Sequence, residues 1–425
     1  MKTVFILTAI ERAFYSATIE YQLLAPLLKI ASKRKEIRFI FLALIPITFY
    51  FIKGDIKRSF FLFRQRRKKI KNNLKQRNFS LFFIPVLFPL KHRSFYLRIF
   101  EVPLYILSNL PLLMLFQAVF RPSLIHARGY PANLLALIIK KLQGIRFLFD
   151  MRDVYTKKGI EGGIFCENDI SFRLWHSLEK RMVFGADAII VTSLPFKNYV
   201  LNILDTDKKI WIIPNSVNRK KFFPDEKIRT AVRKKLGIEN RFVLIHSGTF
   251  STKEDIRLAA RYFKRWKTIK EESFFLLLIA NRKNVKRLTE VFLKENLALL
   301  DYRIVNPEPE EVPNLLKAGD IGLHLESKSL ATEYCIAIKD GEYLSTGLPV
   351  VCTPYLEGIG PLIKKYDCGI VTDPDKDIND VKEEYLLKNF ERLRNNTEHI
   401  VEEVLSLEKA VMKLEKCYEK LLLSK

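Results

Sequence analysis

The sequence predicts an α/β protein built from two parallel-sheet units. Short, continuous apolar runs alternate with amphipathic helical stretches, and this alternation occurs in both halves of the chain. A length of 425 residues is enough for two domains. With 48% hydrophobic and 28% charged residues, the composition is that of a globular protein and excludes a disordered chain.

The first half begins with an apolar run typical of a buried strand, Val4–Ile10, and a helical stretch, Ser16–Ser32. Two further apolar segments follow, Phe39–Ile52 and Phe79–Leu90. From residue 123 onward, the predicted strands are Ser123–Gly129, Ile145–Asp153, Asp187–Ser193 and Lys209–Ser216. Amphipathic helices separate the first three of these, and the earlier helix stops at Gly144, a residue that favours helix ends.

The second half repeats this order. Its predicted strands are Arg241–Gly248, Ser273–Ala280, Asp301–Pro307, Ile321–Glu326, Pro349–Pro354 and Cys368–Asp373. A short helix is predicted at Pro309–Ala318, and a charged helical stretch at Lys382–Leu423. Two such units predict a cleft with ligands at the carboxyl ends of the strands. The predicted domains are 1–215, 216–400 and a C-terminal helix, 401–425, that packs back on the first domain.

Positive charge is concentrated in the first half of the chain. Residues 1–215 contain 35 basic and 14 acidic residues, a net charge of +21, whereas residues 216–425 carry only +4. This asymmetry predicts an anionic partner for the first half, either a membrane surface or a nucleic acid.

Cysteine usage and the N-terminus favour a cytosolic protein. The five cysteines are odd in number and form no Cys-x-x-Cys pair, which argues against a disulfide framework or a zinc finger. The apolar stretch Met1–Ile10 is too short for a signal peptide, and no small-residue cleavage site follows it.

A basic block at Lys57–Asn78 contains ten Lys or Arg residues and no acidic residue. Its phenylalanines and the apolar segments beside it favour contact with acidic lipid headgroups, where each cation adds about 1 kcal/mol. A solvated helix face remains open, and nucleic acid is disfavoured because no known nucleic-acid module surrounds the block. The predicted membrane-binding residues are Lys57, Arg58, Arg64, Arg66, Arg67, Lys68, Lys69, Lys71, Lys75 and Arg77.

The segment Val102–Phe120 has nineteen uncharged residues, long enough for a membrane span. Its prolines and polar residues favour a buried or interfacial helix instead.

Two candidate binding features occur in the second half. Gly248 and Thr249 end a strand, and Lys253 follows shortly after, an arrangement that suits a diphosphate or a plain strand-to-helix turn. Glu342 is predicted to open a helix that stops at Gly347. Its carboxylate either caps that helix or accepts two hydrogen bonds from a ribose diol.

The first half offers polar side chains at the ends of two neighbouring strands. His126 ends one, and Asp150 and Arg152 end the next, so they either face a ligand or hold a turn. His246 and His324 lie inside apolar strands and are interpreted as core histidines. No residue cluster has metal-ligand spacing, so no metal is predicted.

These pieces together resemble glycosyltransferases of family 4 of the bacterial polysaccharide and cell-envelope type. The stretches that carry the resemblance are His126–Tyr155, Ala186–Ser193, Ile213–Pro224 and Ile336–Thr353. The resemblance implies the GT-B fold, with two Rossmann-like parallel-sheet lobes facing a cleft. It implies that Glu342 holds the nucleotide ribose, and that the reaction retains the anomeric configuration without a metal or other cofactor.

The sequence departs from the family pattern at three places. Where many members have a second Glu, eight residues before the ribose-binding one, this chain has Tyr334, with Glu333 beside it. In the Pro-x-Lys of some members, Ala337 replaces the Pro and Lys339 remains. Thr249 stands where the family usually has Arg, which leaves Lys253 as the main cation of that loop.

The predicted function is therefore transfer of a sugar from a nucleotide-sugar donor to a lipid-linked or membrane-bound saccharide, on the cytoplasmic face of the membrane. The predicted donor-binding residues are Gly248, Thr249, Lys253, Glu333, Lys339 and Glu342, and the predicted acceptor-side catalytic residues are His126, Asp150 and Arg152. Two alternatives remain open: a non-catalytic membrane-associated assembly subunit, and a sugar-nucleotide epimerase on the same fold.

Overall fold

The computed structural model of the chain describes residues 1–9, 19–46, 77–86, 95–167, 169–204, 210–250, 252–279, 283–329, 332–334, 336–376 and 380–423. The chain divides into two compact units. Unit 1 comprises Met1–Ile213 together with Ala410–Lys425, and unit 2 comprises Pro214–Lys409.

Unit 1 is built on a parallel sheet whose described strands have the order β3-β2-β1-β4-β5-β6-β7. The strands are β1 (Lys2–Ala9), β2 (Ile37–Pro46), β3 (Phe79–Val86), β4 (Leu124–Arg128), β5 (Arg146–Asp150), β6 (Ala188–Val191) and β7 (Ile210–Ile212). The chain winds outward from β1 in one direction and then resumes at β4 on its other side. The carboxyl ends of β1 and β4 therefore form the switch point where such sheets bind ligands.

The helices of unit 1 follow its strands in the alternation that the sequence predicts. They are α1 (Ala25–Lys33), α2 (Phe95–Phe120), α3 (Tyr130–Gln143), α4 (Tyr155–Glu161), α5 (Ile170–Gly185) and α6 (Leu194–Ile203). A π-helical turn, Glu20–Leu24, precedes α1. Helix α3 ends at Gly144 in the left-handed conformation, with φ of 71°, as predicted from the glycine.

The C-terminal helix α15 (Leu407–Leu423) packs its last turns on unit 1. Lys2 and Arg146 donate hydrogen bonds to the carbonyl oxygens of Leu422 and Leu421, respectively. These carbonyls lie at the helix C-terminus, where a cation is electrostatically favourable. Arg34 also pairs with Glu415 at 2.6 Å. These contacts attach α15 to β1, to β5 and to the residue that follows α1.

Unit 2 contains a second parallel sheet, with the described strands in the order β10-β9-β8-β11-β12-β13. The strands are β8 (Phe242–Gly248), β9 (Ser273–Ile279), β10 (Tyr302–Val305), β11 (Ile321–His324), β12 (Val350–Cys352) and β13 (Gly369–Val371). The helices are α7 (Glu226–Leu236), α8 (Lys253–Ile269), α9 (Lys283–Lys294), α10 (Val312–Leu316), α11 (Ile338–Ser345), α12 (Gly360–Tyr366), α13 (Val381–Lys388) and α14 (Phe390–Ile400). Its switch point lies between β8 and β11.

Two hydrophobic clusters cover the two faces of the second sheet, and β9 is buried along its whole length. Gly322 in β11 allows one unusually close contact in this core. A Cβ atom there would meet the Tyr343 ring at 2.4 Å, so only glycine leaves room for that ring. The Tyr343 hydroxyl then accepts a hydrogen bond of 2.6 Å from the Ser247 amide near the end of β8. The absence of a side chain at Gly322 in β11 thus makes room for the tyrosine that binds the end of the neighbouring strand β8.

The charged stretch Lys382–Leu423, predicted as helical throughout, is interrupted in the structure. Helices α13 and α14 are followed by a π-helical turn, Val401–Leu405, and by the extended Ser406, which bridges to Val217. Val401 and Leu405 are buried in the core of unit 2. Residues 401–409 therefore belong to unit 2, because their apolar side chains complete its core before α15 leaves it.

Asp320 fastens helix α7 to the second sheet. Its carboxylate accepts hydrogen bonds of 2.5 Å from both Arg229 and Arg233, and one of 2.6 Å from the Val243 amide at the start of β8. All three charged side chains are largely buried. Removal of the one anion leaves two buried guanidinium groups without it, which is costly.

We expect Asp320→Asn to lower the free energy of unfolding by about 3 kcal/mol. Asp375→Asn is the matched control, because Asp375 pairs with Arg261 on an exposed surface of the same unit, and this change should cost at most about 1 kcal/mol. Chemical denaturation of both variants measures the difference. Equal losses in the two would contradict the role given to Asp320.

Candidate functional site

The candidate donor site lies at the switch point of unit 2, where β8 and β11 run side by side. Ile321 pairs with Leu244 and Gly322 with Ile245, so the ends of the two strands are adjacent. In open α/β sheets this is where ligands bind, at the carboxyl ends of the strands. The predicted donor residues Gly248 and Thr249 lie at the end of β8.

The end of β8 has an open backbone. Gly248 adopts a φ of 115°, and a Cβ atom there would meet nothing within 4 Å. Thr249 is exposed. Lys253 is the first residue of α8, so this predicted cation begins a helix whose amide groups favour an anion. The backbone arrangement suits close approach by a phosphate.

A capping box holds the start of α8. The Thr252 hydroxyl accepts from the Asp255 amide, and Asp255 accepts from the Thr252 amide at 2.8 Å. The other Asp255 oxygen accepts from the amide and hydroxyl of Ser327, at 2.9 and 2.7 Å. Asp255 therefore ties the α8 N-terminus to the segment that follows β11. The Thr252 hydroxyl is engaged in this cap.

A chain of alternating charges extends from β11 to α11. His324 places Nδ1 at 2.6 Å from Asp340 Oδ1 and Nε2 at 3.1 Å from Glu326 Oε1. The Lys339 ammonium lies 3.7 Å from the same Glu326 oxygen. Burial lowers the pKa of His324, but the two carboxylates outweigh it and raise that pKa overall. The chain thus reads anion, cation, anion, cation from Asp340 to Lys339.

Glu326 is held as an anion by this arrangement. Burial alone would raise the pKa of Glu326, but the hydrogen bond and charge of His324, with the charge of Lys339, lower it to about 2. His246 lies in the same electrostatic neighbourhood and stacks on Phe250 with ring centroids 4.0 Å apart. Burial, with the charges of Lys339 and His324, moves the pKa of His246 well below its usual value. His246 is therefore neutral, while His324 favours its charged form.

Glu342 lies on α11, one turn after Lys339. The sequence predicted that Glu342 opens this helix, and that prediction is wrong. The helix begins at Ile338, and Asp340 is the residue that caps it, accepting from the Ala337 amide at 2.9 Å. No described residue forms a hydrogen bond or ion pair with the Glu342 carboxylate. Burial, with the nearby Asp340 charge, raises the pKa of Glu342 to about 7. The capping interpretation of Glu342 is therefore wrong, and its carboxylate is available to a ligand.

The structure brings the predicted donor residues together only in part. Lys339 and Glu342 share α11 and are linked through Glu326 to β11. Glu333 lies on a separate 3₁₀ turn, Thr332–Tyr334, and forms no hydrogen bond or ion pair with any other described residue.

Sequence reasoning missed Glu326 and Asp340. The His-x-Glu at the end of β11 was a usable signal, because alternate residues of a strand share a face and here place a base and an acid together. Asp340 occupies the third helical position, which the sequence could have indicated as a capping carboxylate. His324 is buried, as predicted for a core histidine, but its ring nitrogens contact two carboxylates, those of Glu326 and Asp340.

In unit 1, the predicted acceptor-side residues form a buried cluster at the ends of β4 and β5. Arg152 Nε lies 2.6 Å from Asp150 Oδ1, and His126 Nε2 lies 3.5 Å from Asp150 Oδ2. Arg128 completes the cluster at 3.8 Å from the same carboxylate. Burial would raise the pKa of Asp150, but Arg152, His126 and Arg128 outweigh it and hold that pKa well below its usual value.

Solvent reaches this cluster mainly through one member. His126 and Asp150 are buried, whereas the Arg152 side chain is 16% exposed and also donates to the Ile213 carbonyl oxygen at 3.3 Å. His126 and Asp150 therefore have no direct access to an acceptor in this structure. Their catalytic role stays a prediction, and the contacts also fit the alternative in which they hold a turn.

Tyr418 from α15 joins the same cluster. Its hydroxyl lies 2.6 Å from His126 Nδ1, and the two rings meet edge to face with centroids 5.8 Å apart. Nothing in the local sequence around either residue indicates this contact, because 292 positions separate them.

Among the residues that the structure describes, no group of three or more His, Cys, Asp or Glu side chains is arranged to hold a metal ion.

Residues 89–216 match a family model described as a glycosyl transferase 4-like domain. The match of this segment and the fold of the chain together support a likeness to glycosyltransferases of the family 4 type. No curated protein matches this sequence.

Solved structures extend the likeness in fold to the whole chain. Sucrose-phosphate synthase from Thermosynechococcus elongatus is 13% identical, with a TM-score of 0.71 over 100% of both chains. HepE from Anabaena, solved with UDP-glucose, is 14% identical, with a TM-score of 0.67 over 99% of this chain and 100% of that one. WaaG, a glycosyltransferase involved in lipopolysaccharide biosynthesis, is 14% identical, with a TM-score of 0.63 over 99% of each chain. The chain thus has the two-lobe, Rossmann-like GT-B fold.

The raised pKa of Glu342 predicts a dependence of stability on pH. A carboxyl whose pKa is higher in the folded than in the unfolded state stabilises the fold while it is protonated. That contribution is lost as the pH rises from about 4.5 toward 7 and above. We expect Glu342→Gln to be more stable than the wild type by about 2 kcal/mol near pH 8, and this advantage to shrink toward pH 5.

Thermal unfolding of both proteins at the two pH values measures this change. Glu357→Gln is the control, because Glu357 is an exposed carboxylate of the same unit. An advantage of Glu342→Gln that does not depend on pH would show that Glu342 is not titrating as described.

Tyr418→Phe tests the buried cluster of unit 1. The change keeps the ring and removes the hydroxyl, which leaves His126 Nδ1 buried without its partner. We expect a loss of about 1–2 kcal/mol in the free energy of unfolding. Tyr385→Phe, which removes an exposed hydroxyl bonded to Asp367 at 2.9 Å, should be nearly neutral in the same denaturation experiment. Identical behaviour of the two variants would contradict the structural role of Tyr418.

Proposed function

We propose that this glycosyltransferase moves a sugar from a nucleoside-diphosphate-sugar donor to a saccharide acceptor that is lipid-linked or membrane-associated. One observation carries the donor half of the proposal. At the switch point of unit 2, Glu342 keeps a carboxylate without a partner among the described residues, despite the pKa that burial raises to about 7. A carboxylate held at such cost is typical of a ligand-binding group.

Each donor-side residue has a role that follows from its chemistry. Glu342 accepts two hydrogen bonds from the ribose diol, which requires its ionised form. The open backbone at Gly248 and the N-terminus of α8 receive the diphosphate. Lys339 adds a positive charge where negative charge develops on the leaving diphosphate, the kind of stabilisation that lowers the barrier to transfer. HepE, whose structure was solved with UDP-glucose, supports a nucleotide sugar as the donor.

Glu326 sets the position of Lys339 before the donor binds. Its carboxylate lies 3.7 Å from the ammonium, close enough to hold it at the site but longer than a hydrogen bond. His324 supplies a second, closer cation to the same carboxylate. A diphosphate can therefore take Lys339 from Glu326 without leaving Glu326 unpaired.

The remaining features of the reaction follow the family resemblance. We propose retention of the anomeric configuration, no metal or other cofactor, and transfer of the acceptor proton to the departing diphosphate. Arg152 is the member of the unit 1 cluster that faces solvent, so it contacts the acceptor, while Asp150 and His126 hold it in place.

A membrane-linked acceptor is supported by charge. Residues 1–215 carry +21, and the basic block contributes ten cations. Of that block, the structure describes Arg77 and Asn78; the other predicted membrane-binding residues lie outside the described residues. We propose a peripheral location on the inner face of the cytoplasmic membrane on the ground of this charge.

A second candidate, a non-catalytic assembly subunit derived from a glycosyltransferase, is favoured by one observation. Tyr334 occupies the position of the second family Glu, and the neighbouring Glu333 is not paired with the α11 residues. A subunit of this kind would keep its cellular role after Glu342→Ala.

A thermal-shift screen against nucleoside diphosphates and nucleotide sugars tests the proposal. A ligand at about 100 times its dissociation constant should stabilise the fold by about 2.7 kcal/mol. We expect one nucleotide base to give this shift, Glu342→Ala to abolish it, and the exposed control Glu357→Ala to retain it. Affinity should also rise as the pH passes through about 7, because the ionised carboxylate binds the diol.

Two outcomes would contradict the proposal. If no nucleotide raises the unfolding temperature of a folded sample, the assignment of a donor site is wrong. If a nucleotide stabilises Glu342→Ala as much as the wild type, the protein binds the nucleotide without Glu342, and the role given to Glu342 is wrong.

A further inference from the structure

Helix α2 presents an apolar stripe to solvent. Leu107, Leu115 and Val119 are 70%, 61% and 65% exposed, and Leu104 and Pro111 lie on the same side. The spacing of these five residues, three and then four apart, places them along one face of the helix. Within the described residues, Val102–Phe120 is also the one helical segment long and apolar enough to cross a membrane by length and composition.

From Val102 onward, the opposite face of α2 is packed on the rest of unit 1. Its buried side chains are Val102, Tyr105, Asn109 and Leu113. Toward the C-terminal end, Phe116 and Phe120 contact Phe82 of β3, with ring centroids 5.3 and 5.7 Å apart, and Phe120 contacts Phe5 of β1. A helix held lengthwise against a folded unit lies along the surface of that unit, so it cannot cross a bilayer as an isolated span.

The packed face also carries two buried polar side chains, Tyr105 and Asn109. The Asn109 side-chain amide donates to the Tyr105 carbonyl oxygen at 2.7 Å. The stripe, in contrast, offers no charge, since Val102–Phe120 contains none. Contiguous exposed apolar surface of this kind marks an interaction site, whereas single exposed apolar residues do not.

We propose that the stripe formed by Leu104, Leu107, Pro111, Leu115 and Val119 lies in the headgroup–acyl boundary of an anionic lipid bilayer. Charge complementarity selects this occupant, because the half of the chain that carries the stripe has a net charge of +21. Stable attachment to a bilayer needs two signals, and here the basic residues supply one and the stripe supplies the other. The inference rests on the proposed function, whose acceptor is held at a membrane, and it names the surface that meets the lipid.

The stripe makes a specific contribution that charge alone cannot give. Binding through lysine and arginine is screened by salt, whereas insertion of leucine side chains is not. The protein should therefore retain part of its binding to anionic vesicles at high salt, and that part should depend on the stripe.

The test uses the full chain and vesicles of phosphatidylcholine with phosphatidylglycerol. The double variant Leu107→Gln with Leu115→Gln should lower the partition coefficient by roughly tenfold for each leucine. The matched control is Leu299→Gln with Leu300→Gln, two residues of unit 2 that are 68% and 84% exposed and lie on no stripe. The control should bind as the wild type, and the salt-resistant part of binding should disappear only in the α2 variant.

Three results would overturn the inference. Wild-type binding by the α2 variant would show that lipid does not meet the stripe. A change in oligomeric state by light scattering, without a change in vesicle binding, would assign the stripe to a second copy of the chain. Resistance of the bound protein to alkaline carbonate extraction would show a spanning segment instead of an interfacial one.

The same variants separate this inference from the proposed function. Nucleotide-dependent thermal stabilisation depends on unit 2 and should persist in the α2 double variant. Absence of nucleotide binding in all proteins, with vesicle binding that still depends on the stripe, would remove the proposed function and leave the lipid surface standing.

Discussion

The carboxylate of Asp340 is the constraint on which the donor-side site depends. It caps the start of α11, and so fixes where that helix begins. Through His324 it holds Glu326 as an anion, and Glu326 in turn holds Lys339. Its negative charge also adds to the raised pKa of Glu342, two residues farther along. One buried acid therefore orients the cation of the site and, with burial, sets the proton affinity of the Glu342 carboxylate.

Unit 1 uses a similar arrangement at the corresponding end of its own sheet. Asp150 is buried at the end of β5, with a histidine and two arginines around it. The two units differ in the residue that is partly exposed, which is Glu342 in unit 2 and Arg152 in unit 1. An anionic group suits a diol, and a cationic group suits an acceptor that carries phosphate or carboxylate.

The sequence predicted the fold class and most strands, because buried parallel strands are continuous apolar runs that read directly from the chain. Each of the six strands predicted in the second half is present, with ends that differ by a few residues. Sequence reasoning placed Lys339 and Glu342 in one binding segment, since they are close in the chain. It misplaced the start of α11 by predicting that Glu342 opens the helix, because Asp340 and Glu342 lie two positions apart and only the backbone geometry shows which acid lies in the first turn.

Contacts between distant parts of the chain could not be predicted in this way. Glu326 and Lys339 are close because β11 and α11 are neighbours in space. Tyr418 and His126 are in contact although all of unit 2 lies between them in the sequence. The exposure of the α2 stripe was equally hidden. The sequence of an uncharged segment does not show whether its apolar residues are buried or exposed. The burial of Tyr105, Asn109 and Leu113 in the structure shows which face of the helix is covered.

The return of α15 to unit 1 has a consequence for biosynthesis. The strands of unit 1 leave the ribosome first, but the tyrosine that covers His126 is translated 292 residues later. At ordinary elongation rates of about 5–20 residues per second, that interval is roughly 15–60 s. During this time the end of β4 and the amino-terminal edges that α15 covers stay open, while all of unit 2 is made and can fold. The first domain to be synthesised is thus the last to be completed, and a nascent chain stalled before α15 presents an unfinished unit 1 to the chaperones of the cell.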